Sequence, residues 1–280
     1  MTRKLTPAQR FRSSMARRSK ANPDGLFIFD SHCHLTDNQF INDLSEVLKR
    51  ARQAGVREML TVSMNVPDSQ EAIELCRERE GIYCTVGIHP HEADSFRSMD
   101  IQSLKDMCIE PQVKAIGETG LDFFRNFSTR ANQETAFRAQ IELARMLNLP
   151  LVIHIRDAAQ TAMAVLEEHG YFHGVLHCFS EGRKFAEWAV EKGFYISFSG
   201  TLTYGDKKLI EVARAIPQER ILVETDAPYL VPEPERGPGK RNEPALIRLT
   251  VKALGDILGL TPVEVARVTR NNARRCFQIG

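Results

Sequence analysis

From Leu26 onward, short apolar runs alternate with longer stretches in which apolar residues recur every three or four positions. The short runs, at 26–32, 56–62, 82–88, 113–117, 150–154, 173–177, 194–198 and 220–224, predict strands. The longer ones, such as Leu44-Val47-Leu48-Ala51, Phe137-Ile141-Ala144-Leu147 and Phe185-Trp188-Ala189, predict amphipathic helices. Eight strands with helices between them give an α/β chain whose simplest closure is a (β/α)8 TIM barrel, with an open doubly wound sheet as the competitor. The 280-residue length suits one large domain over 26–280. Residues 227–243 break the pattern with Pro228, Pro232, Pro234, Gly237, Pro238 and Gly239, and are read as a loop over the mouth of a site.

Polar residues punctuate the carboxyl ends of these strands, where barrel enzymes place their chemistry. His32 and His34 end the first strand, and their two-residue spacing aims both imidazoles at one point while Cys33 turns away. Glu118 follows the fourth strand, His154 closes the fifth, His177 closes the sixth and Asp226 follows the eighth. His89 ends the third, within Gly87-Ile88-His89-Pro90-His91. One such histidine reads as a structural hydrogen bonder. Six or seven imidazoles and carboxylates gathered at one rim would be left unpaired without a cation, so they predict a metal site. Four histidines and two carboxylates exceed what one tetrahedral ion uses and fit two ions about 3.5–4 Å apart. Mixed nitrogen and oxygen donors suit Zn, Mn, Fe or Ni, with Mg kept among the candidates, and disfavour calcium, which prefers oxygen alone.

Charge narrows the partners only slightly. The 37 basic and 36 acidic residues give a net charge of +1, so affinity for a polyanion must come from a local patch. No apolar run reaches the roughly 18 residues of a membrane span. The six cysteines form no Cys-x-x-Cys pair, which fits a reducing cytoplasm. Residues 1–25 carry Arg3, Lys4, Arg10, Arg12, Arg17, Arg18 and Lys20 with no acid before Asp24. They lack the apolar centre of a secretory signal and are read as a flexible basic arm adding weak phosphate affinity, with a transit peptide, whose Arg- and Ser-containing, acid-free composition they share, as the competing reading.

Six ordered motifs resemble the TatD-type metal-dependent hydrolases, a deoxyribonuclease family. They are Asp30-Ser31-His32-Cys33-His34-Leu35, Gly87-Ile88-His89-Pro90-His91, Gly117-Glu118-Thr119-Gly120-Leu121-Asp122, His154-Ile155-Arg156-Asp157-Ala158, His177-Cys178-Phe179-Ser180 and Glu224-Thr225-Asp226-Ala227-Pro228-Tyr229-Leu230. Gly239-Lys240-Arg241-Asn242-Glu243-Pro244 belongs to the same pattern, and the arm lies outside it. The resemblance implies an amidohydrolase-like barrel in which Glu118 stands where many relatives carry a carboxylated lysine. It implies that His32, His34, Glu118 and Asp226 hold one ion and that Glu118, His154 and His177 hold the other. Glu118 then bridges, and Asp226 orients or deprotonates the attacking water. Some family members lack the first histidine pair, so its presence favours two tightly held ions. The resemblance also implies a nuclease trimming DNA from the 3′ end.

Phosphodiesters need further cations, and Arg156, two residues beyond His154, would point into the same mouth, with a rim salt bridge as the competing reading. The run Phe123-Phe124-Arg125-Asn126-Phe127-Ser128-Thr129-Arg130 interleaves three aromatics with two arginines, which suits single-stranded nucleic acid or simple packing on the barrel. His89, His91, Tyr229, Lys240 and Arg241 are further candidates to line the pocket. Asp157 reads as the N-cap of the next helix and Asp122 as a partner of a ligand histidine. His169 and His173 fall at the opposite rim. No obligate protein partner is evident. The alternatives are hydrolysis of another ester, such as a D-aminoacyl-tRNA or a small phosphoester, and a catalytically silent nucleic-acid-binding protein.

Overall fold

The computed structural model describes residues 25–280, so the basic arm at 1–24 lies outside the described residues. Strands β1 (Ile28–Cys33), β2 (Val56–Thr61), β3 (Ile82–Val86), β4 (Val113–Asp122), β5 (Leu151–Arg156), β6 (Gly174–Leu176), β7 (Tyr195–Phe198) and β8 (Ile221–Val223) pair in sequence order, all in parallel. The ring closes beyond the end of β8. Asp226 N–H donates to His32 O at 2.9 Å, and His34 N–H donates to Ala227 O at 2.7 Å. Beneath them, the Asp30 carboxylate accepts from Thr225 N at 2.9 Å and Thr225 Oγ1 at 2.6 Å.

The intervening helices are α1 (Leu44–Gln53), α2 (Val66–Arg77), α3 (Ser98–Met107), α4 (Arg130–Leu147), α5 (Ala159–His169), α6 (Arg183–Lys192) and α7 (Lys207–Ala215). Two more, α8 (Ile247–Leu258) and α9 (Pro262–Cys276), complete the outer layer. Their apolar faces pack on outward strand residues such as Ile28, Ile116, Ile153 and Ile196 to form the larger core. A smaller cluster fills the barrel axis with Phe29, Leu60, Ala115, Val152, Val175 and Leu222, and Phe277 after α9 plugs its amino-terminal end against the Phe29 ring. One expected cap is corrected. Ala158 precedes α5 without a side-chain cap bond, and Asp157 adopts a left-handed φ of 53°, so its carboxylate does not cap that helix.

The strand ends do not all follow simple alternation. Val152 and His154, and Val175 and His177, are two apart and share the axial face, as simple alternation requires. Phe29 and His32 are three apart and both face the axis, as are Ala115 and Glu118. Pairing shifts register between Asp30 and Cys33 in β1, and between Ile116 and Thr119 in β4. Each irregularity re-aims the next side chain inward, the common use of a bulge beside a functional site. In β4 the bulge needs Gly117, whose φ is 152° and where a Cβ would lie 2.6 Å from Val152 O.

Candidate metal centre

Glu118 sits at the middle of the carboxyl-terminal rim, 2% exposed, with its two oxygens facing different imidazoles. Oε2 lies 3.3 Å from His32 Nε2 and 3.8 Å from His34 Nε2. Oε1 lies 2.7 Å from His177 Nε2, 2.9 Å from His154 Nδ1 and 3.2 Å from His89 Nε2. Asp226 closes the first side, with Oδ1 3.3 Å from His34 Nε2 and 3.6 Å from His32 Nε2. Asp226 reaches this point in a left-handed backbone conformation with φ of 56°, pinned by its N–H bond to His32 O. Donor atoms in the sets His32/His34/Asp226, His32/Glu118/His177 and His89/Glu118/His154 all lie within 4.8 Å of one another.

These separations fit metal ligands, because donors about 2.0–2.1 Å from a tetrahedral ion stand roughly 3.3 Å apart. The outer hydrogen bonds agree. His34 Nδ1 lies 3.0 Å from Val62 O and donates to it, which leaves a lone pair on Nε2 facing the Asp226 carboxylate. A lone pair opposed to a buried carboxylate calls for a cation between them. Asp122 Oδ2 receives His154 Nε2 at 3.2 Å and His91 Nε2 at 2.9 Å, and Glu224 Oε1 lies 3.3 Å from His177 Nδ1. His89 differs from the rest. Its Nδ1 accepts from His91 N–H at 3.0 Å, so in the neutral ring Nε2 carries the hydrogen and donates to Glu118. Of the three donor sets, the one containing His89 therefore lacks a free nitrogen from it.

The electrostatics show the same demand for positive charge. Burial depresses His34, but the Asp226 hydrogen bond and charge outweigh it and raise the ring to about 9. Burial likewise opposes ionisation of Glu118, yet His177, His89 and His32 hold its carboxyl well below the ordinary range. Asp226 is lowered by His34 against the same burial. Burial dominates at His89 and lowers it to about 4, so this ring is neutral.

A cavity of about 690 Å³ opens above these residues, with His34, Glu118, His154, His177 and Asp226 at its floor and Arg125, Phe127, Arg156 and Tyr229 around its walls. A family profile described as TatD related DNase matches residues 29–278. The chain belongs to the TatD family. Among its TatD-family relatives, it is 37% identical over 256 residues to the metal-dependent hydrolase YabD of Bacillus subtilis, covering 90% of this chain and 100% of that protein. It is 36% identical over 258 residues to the 3′-5′ ssDNA/RNA exonuclease TatD of Salmonella typhimurium, covering 90% and 99%. The solved structure of the TatD homologue YJJV from Escherichia coli superposes with a TM-score of 0.85 at 27% identity, covering 90% and 98%. This TatD family member is a metal-dependent hydrolase on a (β/α)8 barrel.

The TatD-type motifs leave some expected residues elsewhere. Arg241 does not line the cavity. Its guanidinium grips the Asp43 carboxylate at 2.8 and 2.7 Å and lies 4.7 Å over the Phe40 ring, because Asp43 at the start of α1 offers a planar partner. Arg156 forms no rim salt bridge among the described residues and instead lies 4.0 Å over the Phe124 ring. The 227–243 loop is folded down by buried Asn242, whose Nδ2 donates to Thr225 O at 2.9 Å and Tyr229 O at 2.6 Å, bringing Tyr229 to the mouth. Glu224 was given no role from sequence. Its two-residue spacing from Asp226 was the available signal, hidden because β8 ends at Val223 and the partner ring belongs to β6's extension.

Proposed function

We propose that the protein removes nucleotides from the 3′ end of single-stranded DNA by hydrolysing phosphodiester bonds with a metal-activated water. The observation that carries this reading is Glu118, a buried carboxylate whose two oxygens face separate donor groups and so can serve two ions at once. His32, His34 and Asp226 would complete one ion's shell, and His154 and His177 the other's. Two divalent ions drawn from Zn, Mn, Mg, Fe and Ni would supply water of lowered pKa and clamp the attacking and leaving oxygens. Asp226, which His34 holds below the ordinary carboxylate range, would accept the water's proton. His89, held neutral, keeps its Nε2–H on Glu118 and so would position that carboxylate rather than bind an ion. Arg125 and Arg156 meet the phosphates of the strand.

The 3′-5′ polarity and the preference for single strands lean on the Salmonella relative's description and on the exposed aromatics around the cavity. A reducing cytoplasm, which keeps Cys33, Cys76, Cys84, Cys108, Cys178 and Cys276 as thiols, is part of the same reading. The test is digestion of 5′-labelled single-stranded and duplex DNA by the metal-loaded protein, with and without chelator, beside D-aminoacyl-tRNA and a small phosphoester. A ladder shortening from the 3′ end, abolished by chelator, is expected. Intact DNA alongside turnover of another ester would reassign the substrate, and a metal-loaded protein inert on all of them would make it a binding protein.

A further inference from the structure

Two aromatic side chains stand open to solvent at opposite ends of the donor cluster. Tyr229 is 49% exposed and meets His34 edge-on, at 5.8 Å between ring centroids. Phe127 is 65% exposed and meets His91 edge-on at 4.8 Å, and His91 in turn holds the Asp122 carboxylate that supports His154. Large aromatic rings left exposed at the walls of the cavity, beside its ionisable floor, mark a surface suited to a ligand with a flat apolar face.

Both rings are presented rigidly. Tyr229 donates its hydroxyl to Asp37 Oδ2 at 2.7 Å, while its N–H binds Asp226 O and its carbonyl accepts from Asn242. Phe127 is followed by buried Ser128, which donates to His91 O at 2.8 Å and accepts from Asp94 N at 3.0 Å. The charge around the two rings is unequal. Arg125 and Arg156, the arginines lining the cavity, flank the Phe124 ring at 5.8 and 4.0 Å on the Phe127 side, and neither has a carboxylate partner among the described residues. At the Tyr229 edge stands Asp37, which repels phosphate.

Resting on the nuclease reading above, we propose that Tyr229 and Phe127 are stacking platforms for the two nucleobases flanking the scissile phosphate, the terminal base on Tyr229 and the penultimate base on Phe127. The strand continues from Phe127 across Arg125 and Arg156, whose guanidinium groups meet its phosphates. At Tyr229 it ends, because a further phosphate would meet the Asp37 carboxylate. The unequal charge thereby gives the site its preference for a chain end, and two separate platforms require both bases to be unpaired.

The test compares intact single-stranded oligonucleotides with strands carrying an abasic nucleoside at the 3′-terminal or the penultimate position. Each lesion is expected to lower kcat/KM of the metal-loaded enzyme roughly tenfold or more, the usual worth of one base on an aromatic ring. Tyr229→Ala should erase the terminal penalty and keep the penultimate one, Phe127→Ala should do the reverse, and Tyr229→Phe should retain both penalties. Metal content is measured for each variant, and leucine at the same position, which removes the aromatic face but keeps bulk, replaces any alanine variant that fails to fold. A wild-type enzyme that degrades the strand with no abasic penalty, or variants that keep or exchange the penalties, would overturn the platforms while leaving the nuclease reading intact. An enzyme silent on every intact strand overturns the nuclease reading and the platforms with it.

Discussion

At the amino-terminal rim of the barrel, buried Glu58 on β2 is bracketed by Arg270, 2.6 Å away, and Arg274, both from α9. At the carboxyl-terminal rim, Glu118 is buried more deeply still and Asp226 slightly less, yet among the described residues they face imidazoles and no arginine or lysine within ion-pair distance. The chain supplies its own cations to the first carboxylate and leaves the second group to compete for protons on His34 and His177. A buried charge compensated from within stabilises a fold, whereas one awaiting compensation is a binding site. The contrast separates what holds the barrel from what the barrel holds.

The sharpest way to break the contrast is to remove the shared carboxylate. Glu118→Ala should abolish turnover and release both ions, read by activity assay and by metal analysis after dialysis, while the circular dichroism spectrum stays that of the wild type. Glu58→Ala should do the opposite. With Arg270 and Arg274 left facing each other at a half-exposed rim, unfolding stability should fall by about 1–3 kcal/mol, measured as a lower denaturant midpoint, with metal content unchanged. A smaller effect is expected at Asp122→Asn, which keeps the shape but weakens the hold on His154 and His91. Metal affinity should drop roughly 10- to 100-fold by competition with a chelating dye.

The order of strands and the rim on which the chemistry sits were legible in the chain because apolar runs alternate with helical periodicity and every predicted strand is present. His154 and His177 could be placed because even spacing from buried Val152 and Val175 carries them to the axis, whereas Asp226, beyond the end of β8, reaches it through a left-handed backbone. Strict alternation fails at His32 and Glu118, since from Phe29 or Ala115 it would turn them outward. Only the register shifts in β1 and β4 bring them in, and a bulge is a property of pairing that one strand's sequence does not display. Gly117 was its sole local trace. Arg241 was misplaced for a related reason, because its partner Asp43 lies far away along the chain and nothing near Arg241 announces it. His89 shows the limit of residue type as a guide, since a single hydrogen bond from His91 N–H makes its Nε2 a donor where its neighbours offer lone pairs.

The central claim is that Glu118 is shared between two ions, one of them held also by His32 and His34. Metal analysis of the purified, metal-loaded protein tests it most directly when wild type is compared with the double variant His32→Ala, His34→Ala. The account predicts about two divalent ions per wild-type chain and about one in the variant. A single ion in the wild type, or two retained by the variant, would contradict it.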